Sequence, residues 1–185
     1  MGYDTKHSTH YCLFSDSMTE YQVKANGTRE FHLLAADTQI GVLHYPEWFS
    51  LKADIKLANG AGYQVEPRGF WGTTLELKDQ QTVLLSFKMN WSGNIIIKSK
   101  LDATARVLVF KSKSMLKHTY ALHDKEGREL LTIQPDFQWS KLNYNYTITT
   151  TADFEQIESQ ALFLLMAVHC ANYFMTMMAT MTTFM

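Results

Sequence analysis

The sequence is short of proline, of cysteine and of net charge, and each shortage excludes a class of protein. Only 3 of the 185 residues are proline and 46% are hydrophobic, which excludes a disordered or collagen-like chain. The 2 cysteines, Cys12 and Cys170, are too few for a disulfide framework, so free thiols are expected. The 17 basic and 18 acidic residues give a net charge of -1, which argues against a strongly basic nucleic-acid-binding protein.

Motifs of enzymes and of targeting segments are also lacking. The sequence has no phosphate-binding loop and no Gly-x-Ser-x-Gly, His-Glu-x-x-His or Cys-x-x-Cys pattern. Residues 1–20 contain no apolar run of the kind found in secretory signals, and Lys6 stands where a myristoylation pattern requires Ser or Thr. We therefore expect a non-enzymatic, cytoplasmic protein, with peripheral attachment to a membrane left open.

Between residues 20 and 150 the sequence predicts about ten to twelve short strands. Asn26-Gly27 separates two such runs, and Asn-Gly is the strongest two-residue hairpin pattern. Over 51–57 apolar and charged residues alternate, which is the period of a strand with one buried face. Strands spaced by about ten residues favour an antiparallel sandwich or barrel. The strands that we predict individually are 20–23, 29–35, 51–57, 71–78, 82–90, 94–99, 105–110, 118–123, 128–133 and 143–151.

One long apolar segment follows the strands. Asp153 can cap a helix, and Glu155 and Glu158 suit its first turns, where the helix dipole favours negative charge. No charged residue follows Glu158, so the predicted helix is apolar on most sides. Such a helix lies either in the centre of a protein or in a membrane. Polar His169 and Asn172 near its middle favour the centre of a protein, because polar groups are costly within a bilayer.

A barrel with a helix inside accounts for both features. The side chains of about eight strands just fill a barrel, so a barrel of about twelve strands has room for a helix about 10 Å across. We predict one mainly β domain over 1–185: a closed antiparallel barrel of about twelve strands around a central hydrophobic carboxy-terminal helix at 155–183, preceded by a polar arm at 1–19. Proline cannot donate to a sheet ladder, so we expect the three prolines between strands. They are Pro46, Pro67 and Pro135.

Many antiparallel strands followed by one nearly all-apolar helix is the layout of tubby-like barrels. The chain resembles the LURP-one-related and phospholipid-scramblase-like branch of that superfamily in a hairpin, Tyr120-Ala-Leu122-His-Asp124-Lys-Glu-Gly127-Arg-Glu-Leu130, and in the helix Ala161–Met181. The resemblance implies a closed barrel around a hydrophobic helix, with membrane-phosphoinositide binding in some relatives and lipid scrambling in others. The Pro-rich and Cys-rich amino-terminal regions of scramblases are absent, and no phosphoinositide-binding residue of tubby proteins aligns here, so no site residue is carried over.

Four lysines form the first candidate site, for an anionic lipid. Lys98 and Lys100 are two residues apart, as are Lys111 and Lys113, so each pair projects from one face of a strand. If the two strands are neighbours, the four amines can meet one anionic head group. The alternative is a solvated outer face on which lysines discourage pairing with other chains.

A polar stripe on the helix forms the second candidate site, which would line a cavity. His169, Asn172 and Thr176 are three and four residues apart and share one side of the helix, and Thr180 and Thr183 continue the spacing. In the alternative interpretation these are satisfied core groups. The threonines would then bond to the carbonyl four residues earlier, and His169 and Asn172 would meet strand backbone.

The last candidate is the pattern His7, His10 and Cys12 near the start of the chain. Its ligand types suit zinc or copper, but no second pair lies at a suitable spacing, so neither a metal nor a cofactor is expected. The function that we predict is a non-enzymatic binding or scaffold protein, whose partner is anionic membrane phospholipid or another protein. The alternatives are a membrane-inserted, scramblase-like protein and a carrier of a small apolar ligand.

Overall fold

Twelve antiparallel strands form a closed barrel in the structure, a computed structural model that describes residues 18–47, 51–69, 74–101, 105–114, 117–138 and 143–182. The strands are β1 (Thr19–Asn26), β2 (Glu30–Ala35), β3 (Thr38–His44), β4 (Ala53–Leu57), β5 (Gly62–Arg68), β6 (Thr74–Asp79), β7 (Thr82–Met89), β8 (Ile95–Ser99), β9 (Arg106–Ser114), β10 (Thr119–His123), β11 (Glu129–Gln138) and β12 (Asn143–Thr150). Each strand pairs with its neighbours in the chain, and β1 pairs with β12. The predicted fold class is confirmed.

The alternation of apolar and polar residues gives the barrel its inner and outer faces. In β1, Val23 and Ala25 are buried while Lys24 is exposed, and in β8, Ile95 and Ile97 are buried while Lys98 is exposed. The inner residues of all twelve strands contribute to one hydrophobic core. Charged side chains between them lie on the outer face, which is the face where the lysine site is predicted.

Two of the three prolines lie within strands, so their predicted position between strands is wrong. Pro67 in β5 pairs with Leu75 of β6, and Pro135 in β11 pairs with Tyr146 of β12. Each lies past the last pair that its strand makes on the other side: β5 last pairs with β4 at Val65, and β11 last pairs with β10 at Ile133. A proline is tolerated there because no ladder requires its missing N–H.

Two helices follow the barrel, α1 (Ala152–Glu155) and α2 (Gln160–Thr182). The helix predicted at 155–183 therefore begins later, at Gln160, after a break in which Ser159 has a φ of 58°. The residue at the amino-terminal cap of α1 is Thr151 rather than Asp153. Among the residues that the structure describes, no helix is both long and apolar enough to span a membrane.

The α2 helix runs through the interior of the barrel. Its residues 162–171 are all buried, so every side of the helix is covered. Side chains of α2 meet rings on four separate strands: His169 packs against Phe87 of β7, Phe174 packs against Phe110 of β9 and Tyr120 of β10, and Asn172 bonds to Tyr146 of β12. The helix also contacts β2, β3, β4 and β11. A helix that meets strands around the whole ring lies inside it, as predicted.

One glycine allows the helix to approach the barrel wall. A Cβ on Gly41 of β3 would lie only 2.8 Å from Leu165 Cδ1 and 3.2 Å from Leu57 Cδ2. We expect Gly41→Val to lower the free energy of unfolding by about 1–3 kcal/mol, since overpacking forces neighbouring side chains to move. Urea unfolding followed by circular dichroism measures the change.

The matched control for this substitution is Gly62→Val in β5. A Cβ on Gly62 meets no atom within 4 Å, and valine suits an exposed strand position, so stability should hold or rise. Equal losses in the two variants would contradict the close packing of α2 against β3.

Candidate functional site

The two lysine pairs lie on neighbouring strands, but the register separates them. Lys98 of β8 lies opposite Val107 of β9, and not opposite Lys111 or Lys113. Lys111 lies four residues beyond Val107 on β9, which is about 13 Å along the strand. Lys100 and Lys113 lie farther apart still. One head group therefore cannot meet all four amines, and the lipid-binding assignment remains a prediction for each pair separately.

At the Lys111–Lys113 end of β9, Lys113 forms an ion pair with a carboxylate of the protein itself. Lys113 Nζ lies 2.8 Å from Glu129 Oε2 on β11, and His123 Nε2 lies 3.9 Å from the same carboxylate oxygen. His123 is buried, and its pKa is lowered mainly by this burial and further by the charge of Lys111. Glu129 thus offsets part of the positive charge at this end.

The Lys98–Lys100 end opens into a groove on the outer face of β5 to β9, with a volume of about 560 Å³. We call it the basic groove. It contains four cationic side chains and one carboxylate, together with small and apolar residues. The charged residues are Arg68, Lys98, Lys100, Arg106 and Glu76. Arg68, Lys98 and Lys100 alone outnumber the one carboxylate, and this local excess of positive charge suits an anionic ligand.

Glu76 fixes one of the cations of the basic groove. Its side chain points outward between the inward-facing Leu75 and Leu77, yet the residue is only 7% exposed. Arg68 Nη1 lies 3.2 Å from Glu76 Oε1, and Lys78 Nζ lies 3.8 Å from Oε2. The buried carboxylate therefore holds the Arg68 guanidinium at the edge of the groove, while Lys98 and Lys100 extend into solvent.

A second groove, of about 450 Å³, continues from the first along the β7–β8 hairpin. It shares Arg68, Ser86 and Lys98 with the basic groove and adds Lys88 and Trp91. Trp91 lies at the tip of the hairpin and is fully exposed. The two grooves together form a continuous surface on which basic side chains lie beside an aromatic ring.

The backbone of the hairpin tip is hydrogen-bonded to the side chain of Asn90. Asn90 Oδ1 accepts from the N–H groups of Ser92 and Asn94, each at 3.0 Å, and Gly93 turns the chain with a φ of 75°. Trp91 is not among the site residues predicted from the sequence. A bulky aromatic residue inside an Asn-x-Ser-Gly turn is the feature that would have identified it, since turn residues lie at the surface.

The predicted polar stripe on α2 lies inside the barrel, where it forms a chain of hydrogen bonds. The Tyr146 hydroxyl donates to Asn172 Oδ1, Asn172 Nδ2 donates to the Tyr45 hydroxyl at 3.1 Å, and the Tyr45 hydroxyl is hydrogen-bonded to His169 Nδ1 at 2.9 Å. Thr176 bonds to the Asn172 carbonyl at 2.9 Å. The partners of His169 and Asn172 are tyrosine hydroxyls rather than strand backbone. Neither of the two grooves is lined by these stripe residues.

Burial shifts the pKa values of the groups in and beside this chain of hydrogen bonds. Desolvation lowers the pKa of His169 to about 4, and it raises the pKa values of Tyr45 and Cys170. His169 Nε2 is buried without a hydrogen-bond partner among the described residues. Its ring lies edge-on to Phe87, with centroids 5.4 Å apart. A neutral histidine here joins the helix to the wall without introducing charge.

The remaining candidates lie partly beyond the described residues. His7, His10, Cys12 and Thr183 are outside them, and Thr180 lies on α2. Within the described ranges, no group of three His, Cys, Asp or Glu side chains could hold a metal ion.

No family model, curated protein or solved structure matches this chain. The resemblance to tubby-like proteins therefore stays a prediction from sequence.

Proposed function

We propose that the protein is a non-enzymatic, peripheral binder of anionic phospholipid membranes that attaches through the basic groove. The observation that carries the proposal is the group of four cations around one carboxylate on the outer face of β5 to β9. A bilayer with anionic lipid attracts each nearby Lys or Arg by about 1 kcal/mol. The resemblance to tubby-like proteins, some of which bind membrane phosphoinositides, agrees with this class of partner.

The structure makes the two lysine pairs a matched comparison. Lys98→Gln with Lys100→Gln removes two positive charges from the basic groove, whereas Lys111→Gln with Lys113→Gln removes two from the end where Glu129 already pairs with Lys113. We expect the first double variant to bind anionic vesicles about 30-fold more weakly, from about 2 kcal/mol of lost attraction. The second should lose much less. Liposome flotation of the full chain, with neutral and anionic lipid, measures both.

The same experiment is repeated at increasing salt concentration. Binding to anionic vesicles should weaken steeply as salt rises, because exposed charges are screened beyond about 8–10 Å at physiological ionic strength. Equal losses of binding in the two double variants would mean that the protein binds through diffuse surface charge and not through the basic groove. No flotation of the wild-type protein with anionic lipid would overturn the proposal and favour a protein partner.

The two alternative functions have less support. A carrier of a small apolar ligand needs space inside the barrel, where the buried residues 162–171 of α2 lie. A membrane-inserted protein would have to withdraw the same residues from their contacts with the strands. The membrane-inserted alternative therefore requires the helix to leave the position that it occupies.

A further inference from the structure

We infer that the protein enters the bilayer interface by its β7–β8 hairpin, with the Trp91 indole among the lipid head groups and the outer face of β8 turned toward the membrane. This inference rests on the proposed function and adds the orientation of the bound protein. The first observation is that Trp91 is fully exposed at a tip whose backbone is held by Asn90 and Gly93. Tryptophan favours the membrane–water interface because its ring is amphipathic.

The second observation is the order of side chains behind the tip. On the outer face, Lys88 pairs with Ile96, the next outward pair is Ser86 with Lys98, and Lys100 follows. Successive outward rows are about 7 Å apart along a strand. Lysines thus lie at increasing distance from the tryptophan, and their long side chains can reach back toward lipid phosphates.

The third observation is an apolar strip beside these lysines. Val107, opposite Lys98 on β9, is 41% exposed, and Val109, opposite Ile96, is half-buried. Trp91, Ile96, Val109 and Val107 therefore share a face with Lys88 and Lys98. A face with one aromatic tip, an apolar strip and flanking amines matches the depth profile of a bilayer surface, which is apolar inside and anionic at the head groups.

The test compares Trp91→Ala with Met18→Ala in the full chain. Met18 is another exposed large apolar residue, and it precedes β1, which lies six strands from β7 on the far side of the ring of twelve. The probe is vesicles of phosphatidylcholine with phosphatidylserine, at low and at high salt. We expect Trp91→Ala to weaken binding about tenfold. The loss should persist at high salt, because it reflects buried apolar area rather than charge, and Met18→Ala should bind as the wild type does.

A second readout follows the indole itself. Brominated lipids quench tryptophan that enters the interface, so the wild-type protein should lose fluorescence on binding and Trp91→Phe should lose much less. If Trp91→Ala matches Met18→Ala while the Lys98 and Lys100 double variant still binds more weakly than the wild type, the hairpin orientation is overturned and the proposed function stands. If the wild-type protein does not bind these vesicles, both are overturned.

Discussion

Alanine substitution at each of four consecutive positions of α2 is expected to destabilise the protein strongly. Leu162, Phe163, Leu164 and Leu165 are at most 1% exposed. Residues that follow one another on a helix point about 100° apart, so these four sample every side. Each loss should be about 2–5 kcal/mol, the cost of removing a large buried side chain and leaving a cavity. A protein of ordinary stability has about 5–15 kcal/mol in total, so two such substitutions together should unfold it.

Urea unfolding of the four single variants measures these losses, and Glu158→Ala is the control. Glu158 is exposed just before α2, where a surface substitution should change stability by less than about 0.5 kcal/mol. A surface helix would give a different result, with large losses on one side and small losses on the other. Such a periodic pattern would mean that α2 packs on the outside of the sheet, and the central-helix arrangement would be wrong.

The barrel and its helix were predictable because both have clear sequence patterns. Alternation over 51–57 matches β4, and the absence of charge after Glu158 marks the segment that becomes α2. Two strands were not predicted individually. β3 follows a two-residue turn, Ala36 and Asp37, which adopts positive φ without the usual Asn-Gly. β5 contains Pro67, and proline ordinarily argues against a strand.

The candidate site was less predictable, because it depends on contacts between residues that are distant in sequence. Lys98 and Lys100, spaced by two residues, both line the basic groove. The distance from that pair to Lys111 depends on the register between β8 and β9, which the spacing of lysines does not determine. Likewise, Tyr45 and Asn172 are 127 residues apart and meet only because the helix enters the barrel. The ion pair of Glu76 with Arg68 also depends on the pairing of two neighbouring strands.

The buried His169 is expected to make the stability of the protein depend on pH. Its pKa is about 4 in the folded protein, whereas an unfolded histidine has a pKa of about 6.5. Between these values the unfolded chain binds the proton and the folded protein does not. Stability is therefore fully present above about pH 6.5 and is lost as the pH falls toward 4, by an amount on the order of 3 kcal/mol.

The variant that isolates this contribution is His169→Gln. The glutamine amide can accept from the Tyr45 hydroxyl or donate to it in place of Nδ1, but it does not titrate. His123 is a second buried histidine with a lowered pKa, so the wild-type curve alone does not separate the two residues. As the pH falls from 6.5 to 4, we expect the wild type to lose about 3 kcal/mol more unfolding free energy than His169→Gln loses.

The same measurement tests where the helix lies. Tyr45 and Phe87 enclose the imidazole from two sides, while Asn172 and Cys170 flank it on α2, and none of these groups can supply a negative charge near neutral pH. A protonated His169 would thus be an unpaired charge inside the barrel. Parallel curves for wild type and His169→Gln would mean that the imidazole titrates as it does in water. In that case His169 would not be buried inside the barrel.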